Sequence, residues 1–163
     1  PETNFYPDAN STMRLTTGSV NTLPVRTDRN YFSIKEKDNY YTDINGMAAK
    51  NKKGDEEFEL PQRFLDLVKK KDFGQYTDKK GFMPVNFLSN NDITGGNSGS
   101  PILDGEGRLL GLAFDGNSEA LSSDININKK KKKTINVDIR MVLWTIEKYG
   151  KAGHLISEMT LVK

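Results

Sequence analysis

Residues 91–101 read Asn91-Asp92-Ile93-Thr94-Gly95-Gly96-Asn97-Ser98-Gly99-Ser100-Pro101 and place a serine in a glycine-rich turn just before an apolar segment. Such a turn can push the serine hydroxyl outward, and its glycines let backbone N–H groups approach a reacting carbonyl closely. Acyl transfer needs an accessible nucleophile and donors preorganised where negative charge develops. Ser98 is therefore a candidate nucleophile, and the N–H groups of Gly96 and Ser98 suit an oxyanion hole. The same composition is also typical of a connecting loop without chemistry.

Short β-like segments lie on both sides of this loop. Four of them, mostly separated by Gly-rich turns, are residues 85–88, 101–103, 109–114 and 134–137. This pattern is typical of a β-barrel or a β-sandwich. Nearer the start, alternating residues 13–17 and 20–25, joined by Gly18-Ser19, predict a hairpin, and Pro24 favours an edge position for its second strand.

Two helices are predicted, one in the middle of the chain and one near its end. Pro61 suits a first helical turn, and the apolar face that follows consists of Phe64, Leu65 and Val68. Asp138 is a plausible N-cap for a helix over 139–149, which Gly150 ends. The apolar face of that second helix consists of Val142, Leu143 and Ile146. Residues 152–159 predict a last helical turn, so 138–163 form a C-terminal helical segment.

The composition restricts the class of protein. The chain has 163 residues, 35% of them apolar, together with 14 glycines, which excludes a disordered tail, a collagen-like rod and a membrane protein. A net charge of +2 is far below that of a protein that neutralises many phosphates, and no cysteine is present for a disulfide or a thiolate metal site. No apolar run reaches the length of a membrane span, and no signal peptide is seen. The first residue is Pro1, so we expect a processed or trimmed piece.

Two polar stretches need an interpretation. Residues 27–57 are rich in Asn, Asp and Lys and predict a long surface excursion with short strands around 31–32 and 40–41. Residues 129–133 are five consecutive lysines. A run of this kind can bind nucleic acid or anionic lipid. Because no aromatic residues are interleaved with the lysines, a solvated loop without a nucleic-acid partner is the preferred interpretation.

Several motifs resemble one known family. The hexapeptide at 96–101 is similar to the nucleophile motif of chymotrypsin-fold serine proteases, with Asn97 where Asp is usual. The asparagine resembles bacterial glutamyl endopeptidases and, more closely, the bacterial dipeptidyl-peptidase 7 and 11 family, nearer to dipeptidyl-peptidase 7. Further similar segments are residues 6–10, 13–16, 91–96, 111–117, 137–140 and 153–159.

The resemblance implies a mainly β fold, namely the C-terminal barrel of a chymotrypsin-like double β-barrel. It also implies a serine peptidase that releases dipeptides from peptide N-termini. Residues 1–163 would form this one lobe, without the N-terminal barrel and the inserted helical domain. No cofactor and no metal is implied. The expected partners are a peptide with a free N-terminus, the remaining N-terminal part of the same peptidase, and a second copy when the protein is full length. The expected location is the periplasm or cell surface of a Gram-negative bacterium.

The resemblance also assigns substrate-binding residues. Ser98 falls on the nucleophile, and Asp115 falls on the acidic residue that helps to hold the substrate's amino terminus. Gly116 lies on the wall of the specificity pocket, where relatives with arginine prefer acidic residues and relatives with glycine prefer hydrophobic ones. Glycine leaves no fixed cation to pair with a carboxylate. The other predicted binding residues are Ile93, Thr94, Gly95, Phe114 and Asn117.

A serine nucleophile is weak without a base, and His154 is the only histidine in the sequence. We interpret His154 as a surface or packing residue, because the resemblance places the catalytic histidine and aspartate in the N-terminal barrel. The chain alone is then expected to be inactive. Two alternatives stay open: a lobe of a glutamyl-type serine endopeptidase, and a non-catalytic barrel that binds peptides.

Overall fold

One antiparallel sheet of five strands organises the part of the protein that the structure describes. The structure is a computed structural model that describes residues 13–23, 40–120 and 132–162. The strands are β1 (Tyr41–Asp43), β2 (Pro84–Ser89), β3 (Pro101–Leu103), β4 (Leu109–Gly116) and β5 (Thr134–Asp138), and their order in the sheet is β1-β2-β5-β4-β3. The four segments predicted around the serine loop are therefore confirmed as strands. In the described ranges β1 and β3 are the two edges, so closure into a barrel stays a prediction.

The predicted hairpin over 13–25 is wrong in its described part. Residues 13–19 form no strand, and Val20 makes only a single bridge to Ser89. The polar side chains of this segment bond to residues 90–94 instead, for example that of Thr16, whose Oγ1 accepts from the Asp92 N–H at 3.0 Å. The alternating residues that predicted a strand therefore form a segment that packs beside the serine loop. Residues 24–25 and the predicted strand at 31–32 lie outside the described residues.

Four short helices pack around an apolar cluster. They are α1 (Ile44–Ala49), α2 (Gln62–Lys69), α3 (Ile139–Trp144) and α4 (Gly153–Ser157), and α3 continues into a π-helical turn over Thr145–Tyr149. The buried members of the cluster are Ile44, Phe64, Val68, Phe73, Tyr76, Met83, Leu143, Trp144 and Ile156. None of the helices in the described ranges is long and apolar enough to cross a bilayer.

The two predicted helices are confirmed, each with a difference. In α2, Phe64 and Val68 are buried as expected, and the chain enters the helix through Pro61. In α3 the Asp138 carboxylate accepts from the Arg140 N–H at 2.9 Å, as an N-cap does. The predicted helix over 139–149 changes its hydrogen bonding at Thr145, where the Gly150 N–H reaches back five residues to the Thr145 carbonyl at 2.7 Å.

The described part of the predicted surface excursion, residues 40–57, contributes to the core. Ile44 is fully buried and begins α1, and the Asp43 side chain caps this helix by accepting from the Gly46 N–H at 2.8 Å. The six-residue helix has apolar residues at helical spacing, namely Ile44, Met47 and Ala48, but this period is too short to stand out from the polar residues on both sides.

Candidate active site

The serine loop joins β2 to β3 and lies against β4. Ser98 is exposed, and its hydroxyl donates to the Phe114 carbonyl at 3.3 Å. The Gly99 N–H donates to the Ala113 carbonyl at 2.7 Å, and the Ala113 N–H donates back to the Ser100 carbonyl at 2.8 Å. These bonds fix the candidate nucleophile beside the strand that carries the predicted pocket wall.

Asn97 closes the turn that presents Ser98. The Asn97 N–H donates to the Thr94 carbonyl at 3.1 Å, and its buried side chain accepts from the Thr94 N–H at 2.9 Å through Oδ1. This reciprocal pair loops the chain back over Gly95 and Gly96. Gly96 and Gly99 have φ values of +97° and +83°. Residues that carry a side chain rarely adopt such values, so the turn requires glycine on both sides of Asn97-Ser98.

The backbone N–H groups of Gly96 and Ser98 have no acceptor among the described residues. An unbonded N–H at the surface is available to a ligand, and two such groups at one turn suit a developing oxyanion. These two N–H groups are therefore available as donors, and an oxyanion hole at this turn stays a prediction. Ser98 Oγ lies in the same turn, as a nucleophile must.

A buried polar network lies beneath the loop. The Asn136 amide is fully buried and donates to Ser89 Oγ at 2.7 Å, and Ser89 Oγ donates to Asn91 Oδ1 at 2.5 Å. Thr134 Oγ1 donates to the Asn91 carbonyl at 2.7 Å. These contacts tie the start of the loop to β2 and β5. Asn136 Oδ1 is buried and has no hydrogen-bond partner among the described residues, which is destabilising.

Charged groups also hold the loop, and the sequence did not reveal them. Asp92 lies between two cations: its Oδ2 contacts Arg14 Nη2 at 3.3 Å, and its Oδ1 contacts Lys132 Nζ at 2.5 Å. The Arg14 guanidinium donates in addition to Thr94 Oγ1 at 2.9 Å. Arg14 and Asp92 belong to segments 13–16 and 91–96, which resemble the known family. The sequence of neither segment indicates that the two residues form an ion pair.

The predicted pocket residues follow Phe114 along the end of β4. The Phe114 side chain is 58% exposed, and Asp115 is exposed and accepts from the Gly116 N–H at 2.7 Å through Oδ1. Asn117 is buried, and its backbone N–H donates to the Lys133 carbonyl at 3.0 Å. A methyl group added at Gly116 would come within 2.8 Å of the Ala120 Cβ. The pocket wall at Gly116 therefore has room only for hydrogen.

The lysine run is not a solvated loop where it is described. Lys132 is paired with Asp92, and Lys133 is only 3% exposed. Burial lowers the pKa of Lys133 below its usual value. The Lys133 N–H also donates to Asn117 Oδ1 at 2.8 Å, so this lysine belongs to the support of the pocket wall. Lys129, Lys130 and Lys131 lie outside the described residues.

The remaining predicted site residues lie on the loop itself, whereas His154, which we interpret as a surface or packing residue, lies on α4. Ile93 and Thr94 are half-buried and Gly95 is exposed, all three directly before the oxyanion turn. His154 is exposed on α4 and has no hydrogen bond to Ser98, whose hydroxyl faces the Phe114 carbonyl instead. Within 13–23, 40–120 and 132–162, no three acidic or histidine side chains gather where a metal ion could bind.

Comparison with known proteins gives a consistent result. The sequence profile of the family described as Peptidase S46 matches residues 1–161. Dipeptidyl-peptidase 7 of Capnocytophaga gingivalis is 55% identical over 159 residues, which cover 98% of this chain and 22% of that protein. An Asp/Glu-specific dipeptidyl-peptidase of the same organism is 45% identical over 163 residues, which cover 100% of this chain and 22% of that protein.

A solved structure agrees with the sequence comparison. The crystal structure of Porphyromonas endodontalis DPP11 in complex with substrate matches with a TM-score of 0.82 and 33% identity, over 95% of this chain and 22% of that one. The chain therefore spans about a fifth of the length of the proteins that it matches.

Proposed function

The chain belongs to the Peptidase S46 family, and from this membership we propose that it is the nucleophile-bearing lobe of a serine dipeptidyl-peptidase. One observation carries the proposal. The Ser98 hydroxyl is exposed on a turn whose Gly96 and Ser98 N–H groups have no acceptor among the described residues. Dipeptidyl-peptidases among the relatives support the reaction class.

In the proposed mechanism Ser98 Oγ attacks the carbonyl carbon of the second peptide bond from the substrate's amino end. A base removes the hydroxyl proton, and the N–H groups of Gly96 and Ser98 stabilise the oxygen anion of the tetrahedral intermediate. The C–N bond then breaks, and the leaving amine takes the proton. Water hydrolyses the resulting dipeptidyl ester and regenerates Ser98. Since His154 does not reach Ser98, we propose that the base belongs to a part of the protein outside this chain.

Asp115 is proposed to fix the point of cleavage. Its carboxylate is exposed at the end of β4, and Ser98 bonds to the carbonyl of Phe114, the residue before it. An anion at this place can pair with the ammonium group of a peptide's first residue, which would limit the cut to two residues. The Asp115 carboxylate already accepts from the Gly116 N–H, so its orientation is set before substrate arrives.

We propose a preference for a hydrophobic penultimate residue. Gly116 supplies no cation, and the exposed Phe114 ring supplies apolar surface next to it. A glutamyl-type endopeptidase would need a cation at the pocket. Lys133 supports Asn117 and is only 3% exposed, so little of this side chain is accessible to a substrate. The buried lysine therefore does not favour the glutamyl alternative.

For the whole protein we propose a homodimer located in the periplasm or at the cell surface, acting on peptides and not on nucleic acid. The lobe is proposed to work only with the N-terminal part of the same peptidase, which would supply the histidine and aspartate. These proposals follow from the family resemblance of segments spread along the whole chain.

Labelling of the full-length protein with a fluorophosphonate probe tests the proposed nucleophile. We expect the probe to modify Ser98, and Ser98→Ala to abolish both labelling and the release of dipeptides. Ser100→Ala is the matched control, because Ser100 is two residues away and only its backbone bonds to β4. Labelling that survives in Ser98→Ala, or an unlabelled wild-type protein, would contradict the serine mechanism. The second result would favour the non-catalytic peptide-binding barrel.

A further inference from the structure

A charged cluster joins three separate parts of the chain next to the proposed oxyanion turn. It consists of Arg14, from the segment beside the loop, Asp92, from the loop, and Lys132, from the residues before β5. The side chains of these three residues are 13%, 23% and 17% exposed, so the cluster is largely shielded from water. Both Asp92 oxygens are used, one by each cation. Charges that are partly removed from water are screened less than surface pairs, so their geometry is held more firmly.

Arg14 connects this cluster to the catalytic turn through Thr94. One arm of the guanidinium contacts Asp92 at 3.3 Å, and the other donates to Thr94 Oγ1 at 2.9 Å. A planar guanidinium can hold two acceptors at a fixed angle, which the single ammonium group of a lysine does not reproduce. Thr94 in turn exchanges two hydrogen bonds with Asn97, the residue before Ser98. Arg14 therefore reaches the turn through one intermediate residue.

The backbone of the same segment is fastened beside Arg14. The Asp92 N–H donates to Thr16 Oγ1 at 3.0 Å, and Ser19 bonds to Asn90. Residues 13–20 thus follow the loop from Asn90 to Thr94 without forming a strand with each other. The two sides of the turn differ in this respect: Gly99 is held by β4, whereas Thr94 is held by Arg14 and Asn97.

We propose that Arg14, fixed by Asp92 and Lys132, is a positioning residue that sets the Gly96 and Ser98 N–H groups for the oxyanion. The proposal rests on the proposed serine mechanism. Arg14 touches neither substrate nor the reacting atoms. It fixes Thr94, and Thr94 fixes the turn through Asn97. Because a displacement of about 1 Å in a catalytic group costs roughly a hundredfold in rate, a small relaxation of this turn is enough to be measured.

The test uses Arg14→Met in the full-length protein. We expect kcat to fall roughly ten- to a hundredfold with KM within about threefold of wild type, because the donors act mainly in the transition state. A dipeptide boronic acid, which forms a tetrahedral adduct with the serine, should lose affinity by a similar factor. The affinity for the product dipeptide, which makes no adduct, should not change. Arg14→Lys keeps the charge without the fork and should recover only part of the loss.

Lys148→Met is the matched control. The Lys148 side chain is 28% exposed and pairs with Asp72 at 3.0 Å, between the π-helical turn and the residues after α2. Lys148→Met removes the ion pair with Asp72, and we expect kcat and boronate affinity to stay unchanged. If Arg14→Met proves too unstable to measure, Thr94→Val removes the acceptor of the same hydrogen bond and keeps the ion pair with Asp92. Like Arg14→Met, Thr94→Val should lower kcat and leave KM nearly unchanged.

Two results would overturn the proposal. One is a kcat and a boronate affinity of Arg14→Met within twofold of wild type. The other is an equal loss of affinity for boronate and product, since general damage to the site weakens both. A wild-type protein that does not react with the fluorophosphonate probe at Ser98 would instead reject the proposed function itself. The two failures are therefore distinguishable.

Discussion

At Gly116 the free space beside the backbone limits which side chains the pocket wall can carry. A Cβ at this position would lie 2.8 Å from the Ala120 Cβ, which belongs to a short 3₁₀ turn over Ser118–Ala120 and is not a flexible side-chain end. A change of specificity at Gly116 therefore also needs space at Ala120. The glycine that is proposed to leave the pocket without a cation also permits this turn to approach the strand.

We predict that Gly116→Arg combined with Ala120→Gly shifts the preference of the full-length protein toward acidic penultimate residues. An arginine–carboxylate hydrogen bond contributes about 1.5–3 kcal/mol, so the ratio of kcat/KM for Glu over Leu substrates should rise roughly ten- to a hundredfold. Gly116→Arg alone should give a smaller rise and a less stable protein. Ala120→Gly alone is the control and should keep the hydrophobic preference. An unchanged ratio in the double variant would show that Gly116 does not face the penultimate residue.

The sequence predicted the site's backbone better than its side chains. The glycine spacing around Ser98 was informative because positive φ values need glycine, and the structure has them at Gly96 and Gly99. Arg14 and Lys133 were missed as members of the site. Their roles depend on partners that are 78 and 16 residues away along the chain, and a charged residue in a sequence carries no sign of its partner.

At the scale of elements, a buried tyrosine connects the chain after α2 with the π-helical turn. Tyr76 is 2% exposed, and its hydroxyl donates to the Glu147 carboxylate. Burial, together with the hydrogen bond to Glu147, raises the pKa of Tyr76 to about 12 from its usual 10.0. The phenol is therefore held in its neutral form in the folded protein well above the pH at which it ionises in the unfolded chain.

This shift predicts a particular alkaline weakening. Because the folded pKa is the higher one, the stabilisation by Tyr76 is fully present below pH 10 and is lost as the pH rises to about 12. Tyr76→Phe should lower the free energy of unfolding by about 1–2 kcal/mol near neutral pH, and this difference should shrink above pH 10. Urea unfolding at about pH 8 and about pH 11 measures it. Phe64→Leu, a change in the same core without a titrating group, should show the same loss at both pH values. If Tyr76→Phe lowered the free energy of unfolding by the same amount at both pH values, the raised pKa of Tyr76 would be contradicted.

The sequence predicted elements where one periodic signal dominated. The strands flanking the serine loop and helix α2 have clear apolar patterns, and all of them are present. The hairpin over 13–25 was wrong, because alternation alone does not say whether the polar side chains face water or a neighbouring loop. Helix α1 was missed since it is only six residues long, so the apolar face of Ile44, Met47 and Ala48 gives a short period among polar neighbours. The change to π-helical hydrogen bonding at Thr145 left no signal in composition or period.

At the scale of the whole molecule, the lobe holds one half of a proposed catalytic apparatus. It has the proposed nucleophile, available donors and the proposed pocket wall, while its single histidine is exposed on α4. The proteins that it matches are between four and five times as long, since the chain covers 22% of them. The two facts agree with a division of the proposed triad between this lobe and the rest of a longer protein.

The last prediction concerns this division. Residues 1–163 expressed alone should react with the fluorophosphonate probe on the order of 10⁴-fold more slowly than the full-length protein, because Ser98 lacks a base to take its proton. A cooperative urea transition of the isolated chain has to accompany the comparison, so that slow labelling is measured on folded protein. In the full-length protein, His154→Gln should leave the labelling rate unchanged, since His154 does not contact Ser98. Rapid labelling of the isolated chain, lost in its His154→Gln variant, would contradict the division and assign the base to this lobe.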